Sequence, residues 1–221
     1  MSLAAVARKI LHRRSALLQA NVGVLGQKLD LLAALRNTMG PNQANERFAE
    51  TCPIVGASVG QHFRHSMDHM ERVANSIEAE KEDGSDGFEL HYDTRVRGGN
   101  DENDMDAAED RIQKVSTIFQ NEIDIVVSLS HGNNVVDAKR IVENSNHSVR
   151  ACFLLSGDSQ DEFSLSSTIE RELGFVAHHA IHHLAMVKII SMHTLELLPP
   201  GGLPEGFGMA PSTIVYDKNS Q

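Results

Sequence analysis

The stretch at residues 174–190, GFVAHHAIHHLAMVKII, most restricts what this chain can fold into: four histidines, His178, His179, His182 and His183, interrupt an otherwise apolar run. Residues four apart on a helix point the same way, so the segment offers two stacked imidazole pairs, His178 with His182 and His179 with His183. At about 100° per residue, Ile169, Leu173, Val176, Ala180, Val187 and Ile190 mark one buried face. His179 and His183 fall within that face, and His178 and His182 lie at its edge. A neutral imidazole buried among aliphatics needs partners for both ring nitrogens, and a divalent ion shared with a facing helix provides one. The alternative is a wet core in which hydrogen bonds alone satisfy the rings.

A facing helix is predicted from about residue 57 to 80, with Val59, Phe63, Met70, Val73 and Ile77 on its apolar face and His62, His65 and His69 along the flank. Periodicity nominates His62 as a third ligand, because it lies closest to the apolar face. Three imidazoles leave coordination positions open for water or substrate, as catalytic metal sites do. A closed set of His62, His65, His179 and His183 would instead mark a site that binds without turnover.

The remaining chain supplies the scaffold. Leu18, Val22, Leu25, Leu29 and Leu32 recur at steps of four and three, predicting a helix over 15–39 that Gly40-Pro41 ends. Ala108, Ile112, Val115 and Phe119 predict another over 104–121, with acidic residues in its first turn. The segments 41–56 and 80–104 read as loops, the second rich in acid, glycine and asparagine. Within it, residues 90–97 combine an aromatic, a carboxylate and two arginines, so Asp93 and Arg95 are candidate substrate contacts, a surface turn being the alternative. Alternation of Ile123, Ile125, Val127 and Leu129, with short β-type runs at 139–143 and 149–155, predicts strands. Ser167-Thr168-Ile169-Glu170 fits the capping box of the last helix, which runs to about Leu197. The expected fold class is mainly α, an up-down-up-down four-helix bundle with a small antiparallel β insertion at about 123–161 before the last helix. One domain over 1–221 is expected, with a bundle core at about 15–197 and a C-terminal tail, 198–221, packed back on it.

Composition narrows the partners. A formal charge of −10 argues against nucleic acid, whose phosphates are bound by clustered Lys and Arg. A small molecule is the expected partner, with a homodimer as a further option. The apolar runs fall short of the ~18 residues that a membrane span requires. Cys52 and Cys152 make no disulfide framework and read as reduced, buried thiols, which fits the cytoplasm. The first 29 residues are basic and free of acid, as mitochondrial transit peptides also are.

The segment Ser58-Val59-Gly60-Gln61-His62-Phe63-Arg64-His65-Ser66-Met67-Asp68 resembles the start of helix two in the DinB-like metal-binding four-helix bundles, and His179-Ala180-Ile181-His182-His183 resembles their helix-four signature. Tyr92 to Arg95 and Phe207 to Thr213 are similar to two elements of one branch of that family. The resemblance implies a divalent ion, often nickel or zinc, held by His65, His179 and His183, with His62 as second choice for the helix-two ligand. It further implies a metal-dependent enzyme, a transferase or hydrolase acting on a small molecule, for which some relatives use a low-molecular-weight thiol. No residue is assigned as catalytic; His62 and His69 are candidates for a general base. A non-catalytic bundle that binds a metal or small ligand is the alternative.

Overall fold

The computed structural model describes residues 2–83, 88–94, 99–131, 139, 142, 148–158, 161–197 and 202–219. The chain is mainly helical with one small sheet. In order it forms α1 (Leu3–Met39), α2 (Pro41–Ala49), α3 (Val59–Asp83), β1 (Glu89–His91), a 3-10 turn (Asn100–Glu102), α4 (Met105–His131), β2 (Ser148–Leu154), β3 (Glu162–Thr168), α5 (Ile169–His193) and α6 (Pro211–Asn219).

Helix α1 begins at Leu3 rather than near Ser15, because Ala7 and Leu11 extend its buried face. That face is also rotated from the expected one. Leu18, Leu25 and Leu32 are buried, Val22 and Leu29 only half so, and Asn21 and Lys28 are fully enclosed. Polar partners make this tolerable: Asn21 Nδ2 donates to the carbonyls of Leu17 and Leu173 at 2.9 and 3.0 Å, and Lys28 Nζ donates to Ser66 Oγ at 2.6 Å. Gly40, at φ 78°, ends α1, and Pro41 then opens α2 inside the expected loop. Proline suits a first helical position, where its missing N–H costs nothing.

Helix α3 starts on a reciprocal cap, in which Ser58 N–H donates to Gln61 Oε1 and Gln61 N–H to Ser58 Oγ, both at 3.1 Å. One residue into it, Gly60 has no room for a side chain: a Cβ there would lie 2.0 Å from the Glu102 carbonyl oxygen. Arg64 reinforces this approach through an ion pair with Glu102 at 2.6 Å.

One expectation fails at the β insertion. Residues Ile123 to Leu129 are not a strand but continue α4, with Phe119, Ile123 and Val126 buried at helical spacing and Ile125 and Val127 exposed. The expected antiparallel pairing before the last helix holds between β2 and β3, though β3 lies beyond the expected bound of 161, and β1, from outside the insertion, makes the sheet mixed. Strand β2 is central, pairing β1 in parallel (His91 with Cys152) and β3 antiparallel (Cys152 with Ser164). Lys139 and Val142 are helical, and the rest of the expected strand 139–143 lies outside the described residues. Helix α5 is capped by Thr168, whose Oγ1 accepts the Arg171 N–H at 3.2 Å, whereas Ser167 donates to Glu172 instead. The tail holds α6 where no regular element was expected, and Leu203 and Phe207 before it are buried. By length and composition alone α5 is apolar enough to cross a membrane, a test that a buried core helix also passes; its Leu173, Val176, Ala180, Val187 and Ile190 are buried.

Two compact units can be distinguished, and each long helix contributes to both. The first comprises residues 1–22, 68–95 and 115–177. It holds the sheet, an ion pair of Arg14 with Glu122 at 2.9 Å, and the enclosed carboxylate of Glu172, which accepts hydrogen bonds from Tyr92 Oη at 2.6 Å, from Ser167 and from Arg171. The second comprises residues 23–67, 96–114 and 178–221. Here Arg36 joins Asp106 and Glu109 at 2.6 and 2.5 Å, and Arg111 joins Asp101 at 2.6 Å. Replacing Gly60 with alanine should lower stability by about 1–3 kcal/mol, the usual cost of overpacking. Urea unfolding followed by far-UV circular dichroism measures this, and an unchanged midpoint would contradict the close approach.

Candidate metal centre

Four imidazoles gather within the second unit. The Ser58–Gln61 cap and the Gly60 contact fix where α3 begins, and this sets the direction of His62 and His65, both half-buried. On α5, Ala180 and Leu184 are buried and turn His179 and His183 inward to half-buried positions, while His178 and His182 stay exposed. The tail closes over the same helix: Gly208, at φ 64°, sits so near the Leu184 carbonyl that a Cβ would lie 2.6 Å from its oxygen, and its N–H donates to Gln27 Oε1 at 2.9 Å.

The ring nitrogens form a chain. His62 Nδ1 lies 2.8 Å from His183 Nδ1, and His183 Nε2 lies 3.2 Å from His179 Nε2. The His65 ring centroid is 4.8 Å from that of His183 and 5.3 Å from that of His179, and His65 and His179 have ligand nitrogens within 4.8 Å of each other. A neutral imidazole has one N–H, so His183 donates at one nitrogen and accepts at the other. In either tautomer His62 Nε2 is buried with no hydrogen-bond partner among the described residues.

The site is held uncharged. Burial, followed by the neighbouring His179, His65, His62 and His182, pushes His183 down to about 2. Burial, then His65, His182 and Lys28, pushes His179 down to about 4. His62 is lowered too, by burial and then by His65 and His182. Lys28 is enclosed, with Nζ 5.0 Å over the Phe63 ring. Neutral imidazoles are the form that binds metals.

The donor set fits a transition-metal ion. Two nitrogens each about 2.0 Å from a tetrahedral zinc stand about 3.3 Å apart, and the two Nε2 atoms of His179 and His183 are 3.2 Å apart. All four residues are imidazoles, which suit zinc, nickel or copper better than calcium or magnesium.

In the first unit, the Asp93 carboxylate accepts the Leu154 N–H at 2.7 Å and so braces the end of β1 against β2. Arg95 lies outside the described residues. His69 is buried, stacks on Tyr92 with centroids 4.8 Å apart, and has a ligand nitrogen within 4.8 Å of those of His65 and His179. Sequence reasoning missed Lys28 and Gln27, whose spacing merges with the α1 pattern; the tail motif was visible, but not that Gly208 seats on α5.

No known family profile matches the chain, and no solved structure matches it. FK506-binding protein 5 of Rhizopus delemar is 34% identical over 133 residues, covering 58% of this chain; the chain spans 28% of the length of that protein.

The depressed histidines set a pH dependence. Their folded values, about 4 for His179 and about 2 for His183, lie below the ordinary 6.5, so the unfolded chain binds more protons in between. Stability from these groups is full above about pH 6.5 and declines as pH falls from there through about 4. In the metal-free protein, thermal midpoints should therefore fall more steeply over that window than in a His179→Gln, His183→Gln variant. Parallel curves would show that the rings are not held neutral.

Proposed function

We propose that the second unit carries a divalent-metal centre of the DinB-like four-helix-bundle type, with His65, His179 and His183 as ligands and nickel or zinc as the ion. The observation that carries this is the 3.2 Å separation of His179 Nε2 and His183 Nε2, the spacing of two ligands on one ion. With His183 Nε2 directed to the ion, its Nδ1 faces His62 Nδ1 at 2.8 Å. His62 is thus a positioning residue that sets the tautomer and orientation of His183, as outer partners of ligand histidines do. His65 is the helix-two ligand.

Three ligands leave room for a small molecule, and the function we assign is a metal-dependent transferase or hydrolase acting on a small substrate, a low-molecular-weight thiol among the candidates. The ion, when bound, would supply a Lewis acid that makes a coordinated thiol or water acidic near neutral pH. The chain's own residues hold the imidazoles neutral and orient them. A second reading rests on the partnerless His62 Nε2: if that nitrogen takes the fourth position, the site closes and binds metal without turnover.

Zinc or nickel titration by calorimetry, with elemental analysis of the dialysed protein, separates these readings. His65→Ala, His179→Ala and His183→Ala should each remove about one ion per chain relative to the parent, whereas His62→Ala should weaken binding about 10–100-fold. Loss of the ion in His62→Ala as complete as in His65→Ala would establish the closed site. Unchanged metal content in all four variants would overturn the centre.

A further inference from the structure

The sheet of the first unit carries a second constellation. Register places Glu89, His91, Arg150, Cys152, Glu162 and Ser164 on one face, since His91 pairs with Cys152, Cys152 with Ser164, and Glu162 stands two residues from Ser164. One donor atom each from His91, Cys152 and Glu162 lies within 4.8 Å of the other two. His91 Nδ1 is 2.5 Å from Glu162 Oε2, and the Cys152 thiol is buried, with Sγ 3.5 Å from Ser164 Oγ. On the far side of the imidazole, His91 Nε2 is 3.4 Å from Glu89 Oε2, and Glu89 in turn is 3.4 Å from Arg150.

We propose that His91, Cys152 and Glu162 form a second metal site, for zinc or a similar borderline ion, independent of the histidine centre. A sulfur, a nitrogen and a carboxylate oxygen are a zinc donor set, and each comes from a different strand of one sheet, a rigid base for a ligand triad. Two such ligands stand about 3.3 Å apart on zinc, so His91 Nδ1 and Glu162 Oε2 separate by under an ångström when the ion enters. Binding releases the Cys152 thiol proton to solvent. The imidazole N–H then resides on Nε2, where Glu89 accepts it, completing the carboxylate–histidine–metal arrangement of well-oriented sites. The ion clips β1, only three residues long, to β2 and β3.

Cobalt titration of the full chain tests this, because cobalt bound to a thiolate gives a near-ultraviolet charge-transfer band that imidazole ligands do not. The band should appear in the parent protein, in Cys52→Ser and in the His179→Ala, His183→Ala variant. It should vanish in Cys152→Ser and weaken in His91→Asn and Glu162→Gln. Should Cys152→Ser fail to fold, alkylation of Cys152 in the Cys52→Ser protein provides the second measurement: free zinc at about 100 times its dissociation constant should slow it about a hundredfold, since only the metal-free thiol reacts. No band in the parent protein, a band that persists in a folded Cys152→Ser, or alkylation indifferent to zinc would overturn the site. Loss of the band only in the His179→Ala, His183→Ala variant would tie the thiol to the other centre and equally refute independence.

Discussion

A buried imidazole has two polar atoms that the surrounding aliphatics cannot satisfy, and the second unit is arranged around this fact. His62, His183 and His179 answer it in part with one another, nitrogen to nitrogen, at 2.8 and 3.2 Å, leaving His62 Nε2 without a partner among the described residues. Such a chain requires α3 and α5 to hold their side chains to within tenths of an ångström. The Ser58–Gln61 cap, the closeness of Gly60 to Glu102 and the tail seated over Leu184 are the means by which the backbone is held. Clustering also makes each ring oppose protonation of the next, which keeps the nitrogens available as donors to a cation.

How far the site was legible follows from what a helical period can and cannot encode. The inward pair His179 and His183 and the outward pair His178 and His182 are separated by about 100°, a little over a quarter of a turn, so the wheel distinguishes them. His62 and His65 are both half-buried, and that His62 Nδ1 meets His183 Nδ1 is information that resides in no spacing. The face of α1 was misjudged by a fraction of a turn, because Asn21 and Lys28 read as polar yet are enclosed by partners from Leu173 and Ser66. Asp93 was singled out for its charge, but its carboxylate serves the backbone of Leu154.

The fold shows a similar division. Long apolar periods located all four long helices, whereas Ile123, Ile125 and Val127 imitated a strand because three β-branched residues happened to alternate within a helix whose inward positions are Ile123 and Val126. Parallel pairing of β1 with β2 joins residues some sixty positions apart, and a three-residue strand leaves almost no pattern to find. Pro41 was read as a stop without being read as a start. In the first unit Tyr92 donates to the enclosed Glu172; burial first, then that carboxylate, raises the phenol far above its usual range, so it remains a donor.

The reciprocal cap at Ser58 and Gln61 has a consequence for how this chain tolerates insertions and deletions. The cap anchors the angular phase of α3, and one residue added between Gln61 and His62 would turn every later side chain by about 100°, carrying the histidines away from α5. Seven residues amount to nearly two whole turns and would restore the phase to within about 20°, though displaced along the axis. Length variation among natural variants should therefore be absent between the cap and His65, and collect in the connections outside the long helices.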